Sequence, residues 1–93
     1  MNRYVIERDI PQIGAMSDGD AIEGAKKSNA ALAQLAPRIQ WQHSYVVGDK
    51  TFCIYLAEDE DVIRRHSELS GFPITEIFEI RRTMDPASTG GRM

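Results

Sequence analysis

A single cysteine, Cys53, leaves no partner for an internal disulfide and no CxxC pair for a zinc site in this 93-residue chain. Histidine is scarce as well: His43 and His66 stand 23 positions apart, so no HExxH-type spacing links them. The glycines make neither a GxxxxGK[ST] nor a GxGxxG loop, which removes the common phosphate-binding signatures. There is no basic excess. Eleven Lys and Arg against 14 Asp and Glu give a net charge of −3, and no basic patch of the kind a nucleic-acid module carries is visible. No apolar run approaches the ~20 residues that span a bilayer, and no signal-peptide core is present, so a cytoplasmic protein without a membrane partner is expected. What is there is ordinary for a globular chain, with 42% hydrophobic and 27% charged residues. A chain of this length is one domain at most and marginal as a monomer.

Arg3 to Ile10 (RYVIERDI) alternates in period two with Tyr4, Ile6 and Ile10 on one side, which predicts a strand ended by Pro11 and Gly14. Ser17 is placed to cap a helix, with Asp20 three residues on. Ile22, Ala25, Asn29, Leu32 and Leu35 then share one helical face, and Pro37 stops it. Ile39 to Val46 (IQWQHSYV) and Thr51 to Ala57 (TFCIYLA) read as strands joined by a two-residue turn at Gly48-Asp49. That turn pairs Val47 with Lys50, Tyr45 with Phe52, His43 with Ile54 and Trp41 with Leu56 on one face. The other face carries Gln42 with Tyr55, Ser44 with Cys53 and Val46 with Thr51. A one-residue slip would set His43 beside Tyr55 and Tyr45 beside Cys53; turn preferences favour the first register. The acidic run Glu58 to Asp61 suits the start of a second helix, with Ile63, His66 and Leu69 as its inner stripe and Val62 flanking. Gly71 and Pro73 end it. A last strand is expected from Ile74 to about Arg82. Residues 1–86 form a single domain, followed by a flexible tail over 87–93.

The order β-α-β-β-α-β predicts an α+β, ferredoxin-like fold: an antiparallel sheet with two helices on one face. Both faces of the middle hairpin carry aromatic or aliphatic groups, which a solvent-washed face would not need. A second copy packed on the helix-free face is the economical answer, giving a homodimer of the α+β barrel type.

Four residues are candidates for chemistry. His43, flanked by Trp41 and Tyr45 on its own face, reads either as a core or interface histidine with both ring nitrogens bonded, or as a metal ligand or acid–base group. His66 on the inner helical stripe reads as packed and satisfied. Cys53 reads as a small buried hydrophobe unless a cation or metal lowers its pKa. Glu7 sits mid-strand, where an unpaired carboxylate is costly. Arg8 or Arg81 would neutralise it; a metal or bound water is the alternative. Glu79 stands in a similar position, and two carboxylates and a histidine on one open face would suit a divalent transition metal.

IERDIP, W-x-HSYV-x-x-DK, the Cys53-x-Tyr55 pair and Gly71-Phe72-Pro73 together resemble a family of small bacterial ferredoxin-like proteins of unknown function commonly labelled nickel-binding. The similarity runs from Arg3 to Pro86. It implies a homodimer that can bind divalent nickel, with no established catalysis. Carried onto this sequence, it makes His43, Glu7 and Cys53 the metal-facing candidates, with His66 a weaker one. The favoured register puts His43 and Cys53 on opposite faces, so His43 would share an ion with groups of the helix layer or of a partner chain. The leading expectation is therefore a non-catalytic nickel-binding protein for metal sensing, storage or stress response. The alternative is a small dimeric barrel enzyme acting on an organic molecule between the sheets, with His43 as general base and Tyr45 or Tyr55 as polarising donor. A structural dimer with all polar groups internally satisfied is the third reading.

Overall fold

In the computed structural model, which describes residues 1–88, strand β1 (Asn2–Asp9) buries Tyr4, Ile6 and Arg8 on one side and leaves Val5 and Glu7 half-buried on the other. Of the expected tail, 89–93 lie outside the described residues. Helix α1 (Asp18–Leu35) follows a 3₁₀ turn at Ile13–Ala15. Strands β2 (Ile39–Val46) and β3 (Lys50–Ala57) form the hairpin, then come α2 (Glu60–Ser70) and β4 (Glu76–Glu79). The sheet is antiparallel in the order β2-β3-β1-β4. This is the ferredoxin-like arrangement expected. Leu35 from α1 and Val62 and Ile63 from α2 join Tyr4, Ile6, Tyr55 and Ala57 in one core cluster, so both helices cover the same face. No helix among the described residues is long and apolar enough to cross a membrane.

The helix ends follow from local chemistry. The Ser17 hydroxyl accepts from the Asp20 amide at 3.1 Å, and the Asp59 carboxylate accepts from the Val62 amide at 2.9 Å. Each satisfies an amide that the helix itself leaves without a partner. Gly71 adopts a left-handed φ of 81°, which a side chain resists, and its amide closes α2 on the Ser67 carbonyl.

Three expectations need correction. The expected inner face of α1 holds for Leu35, which is buried, and for Leu32, which packs against the core, but not for Ile22, 55% exposed, or Asn29, also exposed; Ser28 and Ala31 are buried instead. Counting back from Leu35 in helical steps leads to Ser28, Gly24 and Ala21, about 100° away from Ile22. The largest apolar side chain of the first turns thus misled the assignment. In β2 the expected pairs hold from His43–Ile54 to Val46–Thr51, but a bulge at Gln42 sets Trp41 opposite Tyr55. Trp41 thereby crosses to the helix side, packs against the core cluster and donates its indole N–H to the Ser44 hydroxyl at 2.9 Å. It does not share a face with His43. Finally, β4 spans four residues rather than Ile74 to Arg82, although the Thr75 and Ile80 amides extend its bonding to β1 by one residue at each end. Ile80 already bonds to Arg3, near the start of β1, so no ladder remains beyond it.

Replacing Asp59 by alanine is expected to cost about 1 kcal/mol of stability through the lost cap, whereas Asp59→Asn keeps most of it. Urea denaturation of the two variants checks this.

Candidate functional site

The sheet has two different surfaces. On the helix-free face Val5, Phe52, Ile54 and Leu56 are half-buried, while Phe78 is 50% and Tyr45 58% exposed. Glu7 stands among them, held by the Lys50 ammonium at 2.6 Å, which also reaches Asp9 at 3.1 Å. Hydrogen bonds to Glu7 and then Asp9 keep Lys50 protonated to higher pH than usual, and the Lys50 hydrogen bond holds the Asp9 carboxyl below its ordinary value. The expected neutralisers of Glu7 are elsewhere: Arg8 points to the opposite side and Arg81 lies 3.8 Å from Glu79. Glu79 pairs with Tyr4 and so leans to the helix side; the carboxylate opposite Glu7 is Glu76. His43 is exposed on this face, its Nε2 3.2 Å from the Tyr45 hydroxyl with the two rings edge to face.

On the helix-covered side a cavity of about 660 Å³ opens between the sheet and α1. Its floor is Arg8, Thr51, Cys53 and Tyr55 with Trp41 and Ser44 of β2. Its roof is Ala21, Gly24, Ala25 and Ser28, small side chains that leave the space empty. Ile10 to Met16 form one end, fixed to the hairpin turn: the Gly14 amide bonds to the Gly48 carbonyl and the Gln12 amide to the Asp49 carboxylate. A Cβ on Gly14 would come within 2.5 Å of the Val47 carbonyl oxygen, so only glycine allows this approach. Phe72 closes the other side.

At the floor lies a charge that sequence reasoning placed wrongly. Arg8 is 2% exposed, and among the described residues no carboxylate comes within 4 Å of it. Its Nη1 donates to the Ser67 hydroxyl at 2.9 Å and the Pro73 carbonyl at 2.8 Å, and Nη2 donates to the Tyr55 hydroxyl at 3.4 Å. The signal was present in the alternation itself, since Tyr4, Ile6 and Arg8 share one parity. Burial, opposed only partly by the guanidinium, raises the pKa of Tyr55, which stays a phenol. His66 is fully buried beside Tyr55, with ring centroids 5.4 Å apart, and its Nε2 lies 3.2 Å from the Ser28 hydroxyl. Burial first, and the Arg8 charge second, push His66 down to about 4 from 6.5. It is neutral at physiological pH. Among the described residues its Nδ1 has no hydrogen-bond partner, so the expectation of a satisfied ring holds there for one nitrogen only. Cys53 is buried as expected, packs in the core cluster, and its Sγ lies 3.5 Å from the Thr51 hydroxyl.

The four candidates therefore divide. Glu7 and His43 lie on the helix-free face, on strands separated by β3 and two residues out of step, roughly 12 Å apart from the strand spacings. Cys53 and His66 lie on the other side. Among the described residues no three His, Cys, Asp or Glu side chains converge on one point. Of the two tyrosines considered as donors, Tyr45 accompanies His43 and Tyr55 lines the cavity.

The sequence model of the family described as nickel responsive protein SCO4226-like matches residues 4–80. The chain belongs to this family. A crystal structure of an SCO4226-like relative, SCO4226 from Streptomyces coelicolor A3(2), superposes with a TM-score of 0.73 at 9% identity. The match covers 88% of this chain and 99% of that one, so the fold is shared over almost the whole of the relative. None of the curated proteins matches the sequence.

His66 makes stability pH-dependent. Its folded value lies below the ordinary one, so the contribution of the neutral ring is whole above pH 6.5 and is lost as pH falls toward 4. The full loss is on the order of 3 kcal/mol. Urea midpoints at about pH 7 and about pH 4.5 should differ more for the wild type than for His66→Gln, which cannot take up the proton.

Proposed function

We propose that this chain is a small cytoplasmic, non-catalytic nickel-binding protein, active in metal sensing or storage, that works as a homodimer. The helix-free faces of the two sheets meet, and His43 supplies an imidazole ligand with Glu7 of the second copy as the carboxylate. The observation that carries the reading is His43 itself: an exposed imidazole on the helix-free face that also carries Glu7, among Val5, Phe52, Ile54 and Phe78, with its Nε2 3.2 Å from the Tyr45 hydroxyl.

Among the described residues, a single copy gathers no set of donors for nickel. A transition metal needs three or more donor atoms at one point, and one copy offers His43 and Glu7 roughly two strands apart. A two-fold axis through the face doubles each donor and brings each against the other copy. The same packing would cover Phe52, Ile54, Phe78 and Tyr45, whose exposure a monomer has no use for. Imidazole with carboxylate suits nickel, copper and zinc alike; the family description favours nickel among them. Glu7 must leave Lys50 to reach a metal, which sets a cost on binding. Cys53 and His66 take no part in this site.

Sedimentation and nickel calorimetry on tag-free protein test the reading. A dimer that binds nickel is expected, with affinity falling at least about tenfold in His43→Ala and also in Glu7→Gln, unchanged in Cys53→Ala, and weakening in acid as protons compete with the metal. A monomer at all concentrations, or nickel affinity indifferent to His43→Ala, would overturn it.

A further inference from the structure

We propose that the cavity between the sheet and α1 binds a small organic monoanion, a carboxylic acid with an apolar body, whose carboxylate sits on the Arg8 guanidinium. The observation behind this is an imbalance of charge. Arg8 is 2% exposed and lines the cavity, yet its protein partners are hydroxyls and carbonyls. A buried charge is ordinarily paired, because neutral acceptors offset only part of its desolvation. The other buried polar side chains are Ser28, Thr51, Ser67, Ser70 and His66, and none of them supplies a negative charge.

The donors of Arg8 show where the missing partner belongs. A guanidinium carries five N–H groups. Those on Nη1 go to Ser67 and Pro73, with Phe72 more distant at 3.4 Å, and one on Nη2 goes to Tyr55. Among the described residues, the Nε–H and the second Nη2–H have no protein acceptor, and two such donors suit the two oxygens of a carboxylate. The Tyr55 phenol accepts from Arg8 and lines the same cavity, beside the place a carboxylate would take. Neutral His66 behind Tyr55 adds no second positive charge, so the site balances one negative charge rather than two. Asp20 at the rim, in the first turn of α1, disfavours a dianion further.

The walls decide against a bare inorganic ion. Trp41, Ile13, Met16, Val46 and Phe72 line a space of about 660 Å³, the range of an organic ligand rather than of chloride or phosphate. The roof stays open because α1 presents Ala21, Gly24 and Ala25 there. This site is on the opposite side of the sheet from His43 and Glu7 and does not depend on the nickel reading.

Trp41, the only tryptophan, makes the test direct. Phenylacetate, benzoate and octanoate, each with its amide as uncharged control, are titrated into the protein while Trp41 fluorescence and thermal stability are followed. Saturable binding of at least one carboxylate is expected, at least about tenfold tighter than its amide and lost to that extent in Arg8→Met. Arg8 also holds structure together, so a second variant is needed. Ala25→Leu fills the cavity from the helix, keeps Arg8, and is expected to remain folded and lose the carboxylate. The proposal is overturned if none of the three binds at millimolar concentration, if carboxylate and amide bind alike, or if folded Ala25→Leu binds as the wild type does. Protection by inorganic phosphate equal to that by the carboxylates would also overturn it, since the apolar walls would then contribute nothing.

Discussion

A guanidinium placed on the buried side of a central strand is the constraint to which much of this molecule answers. Arg8 follows Tyr4 and Ile6 in the alternation of β1 and must find acceptors where the core ends. It finds them on α2 and on the chain that leaves it: the Ser67 hydroxyl and the carbonyls of Phe72 and Pro73. The left-handed Gly71 cap lets the chain turn there, so helix termination and charge solvation are one event. The same charge, together with burial, keeps His66 neutral between the helices. Its positive field is also what distinguishes the floor of the cavity from an ordinary gap in packing.

Strand β3 divides the labour of the sheet. Thr51, Cys53, Tyr55 and Ala57 are buried beneath the helices, while Lys50, Phe52, Ile54 and Leu56 alternate with them on the helix-free face. The proposed nickel site and the proposed anion site thereby fall on opposite faces of the sheet that β3 helps to build. No residue serves both, because period-two alternation forbids it.

Much of this was legible beforehand. The alternation of RYVIERDI, the Gly48-Asp49 turn, the Ser17 cap and the Gly71 stop are local rules, and the structure obeys them. The order of elements then gave the ferredoxin-like fold. The misses were tertiary. Ile22 looked like the start of a buried stripe because size was weighed without knowing that α1 roofs a cavity and needs small side chains there. Trp41 was set on the wrong face because a bulge leaves no mark in a run of good strand formers. Glu7 and His43 were rightly seen as polar groups on a sheet, but which lysine or tyrosine meets them depends on diagonal neighbours across strands. Arg8 and Glu7 are adjacent in β1, and parity alone separates them onto opposite faces. The cavity leaves no mark in the sequence, since its lining comes from β1 and the turn after it, α1, both strands of the hairpin and Phe72 beyond α2.

The bulge at Gln42 has a bearing beyond the position of Trp41. β2 is an outer strand of eight residues without a single charged side chain, and its free row of amides and carbonyls is the kind of edge onto which further chains can stack. An extra residue in that row breaks its regular spacing and sharpens its twist, so an incoming strand meets a matching ladder for only half its length. The irregularity that delivers an indole to the interior thus also guards the molecule against growing into a fibre.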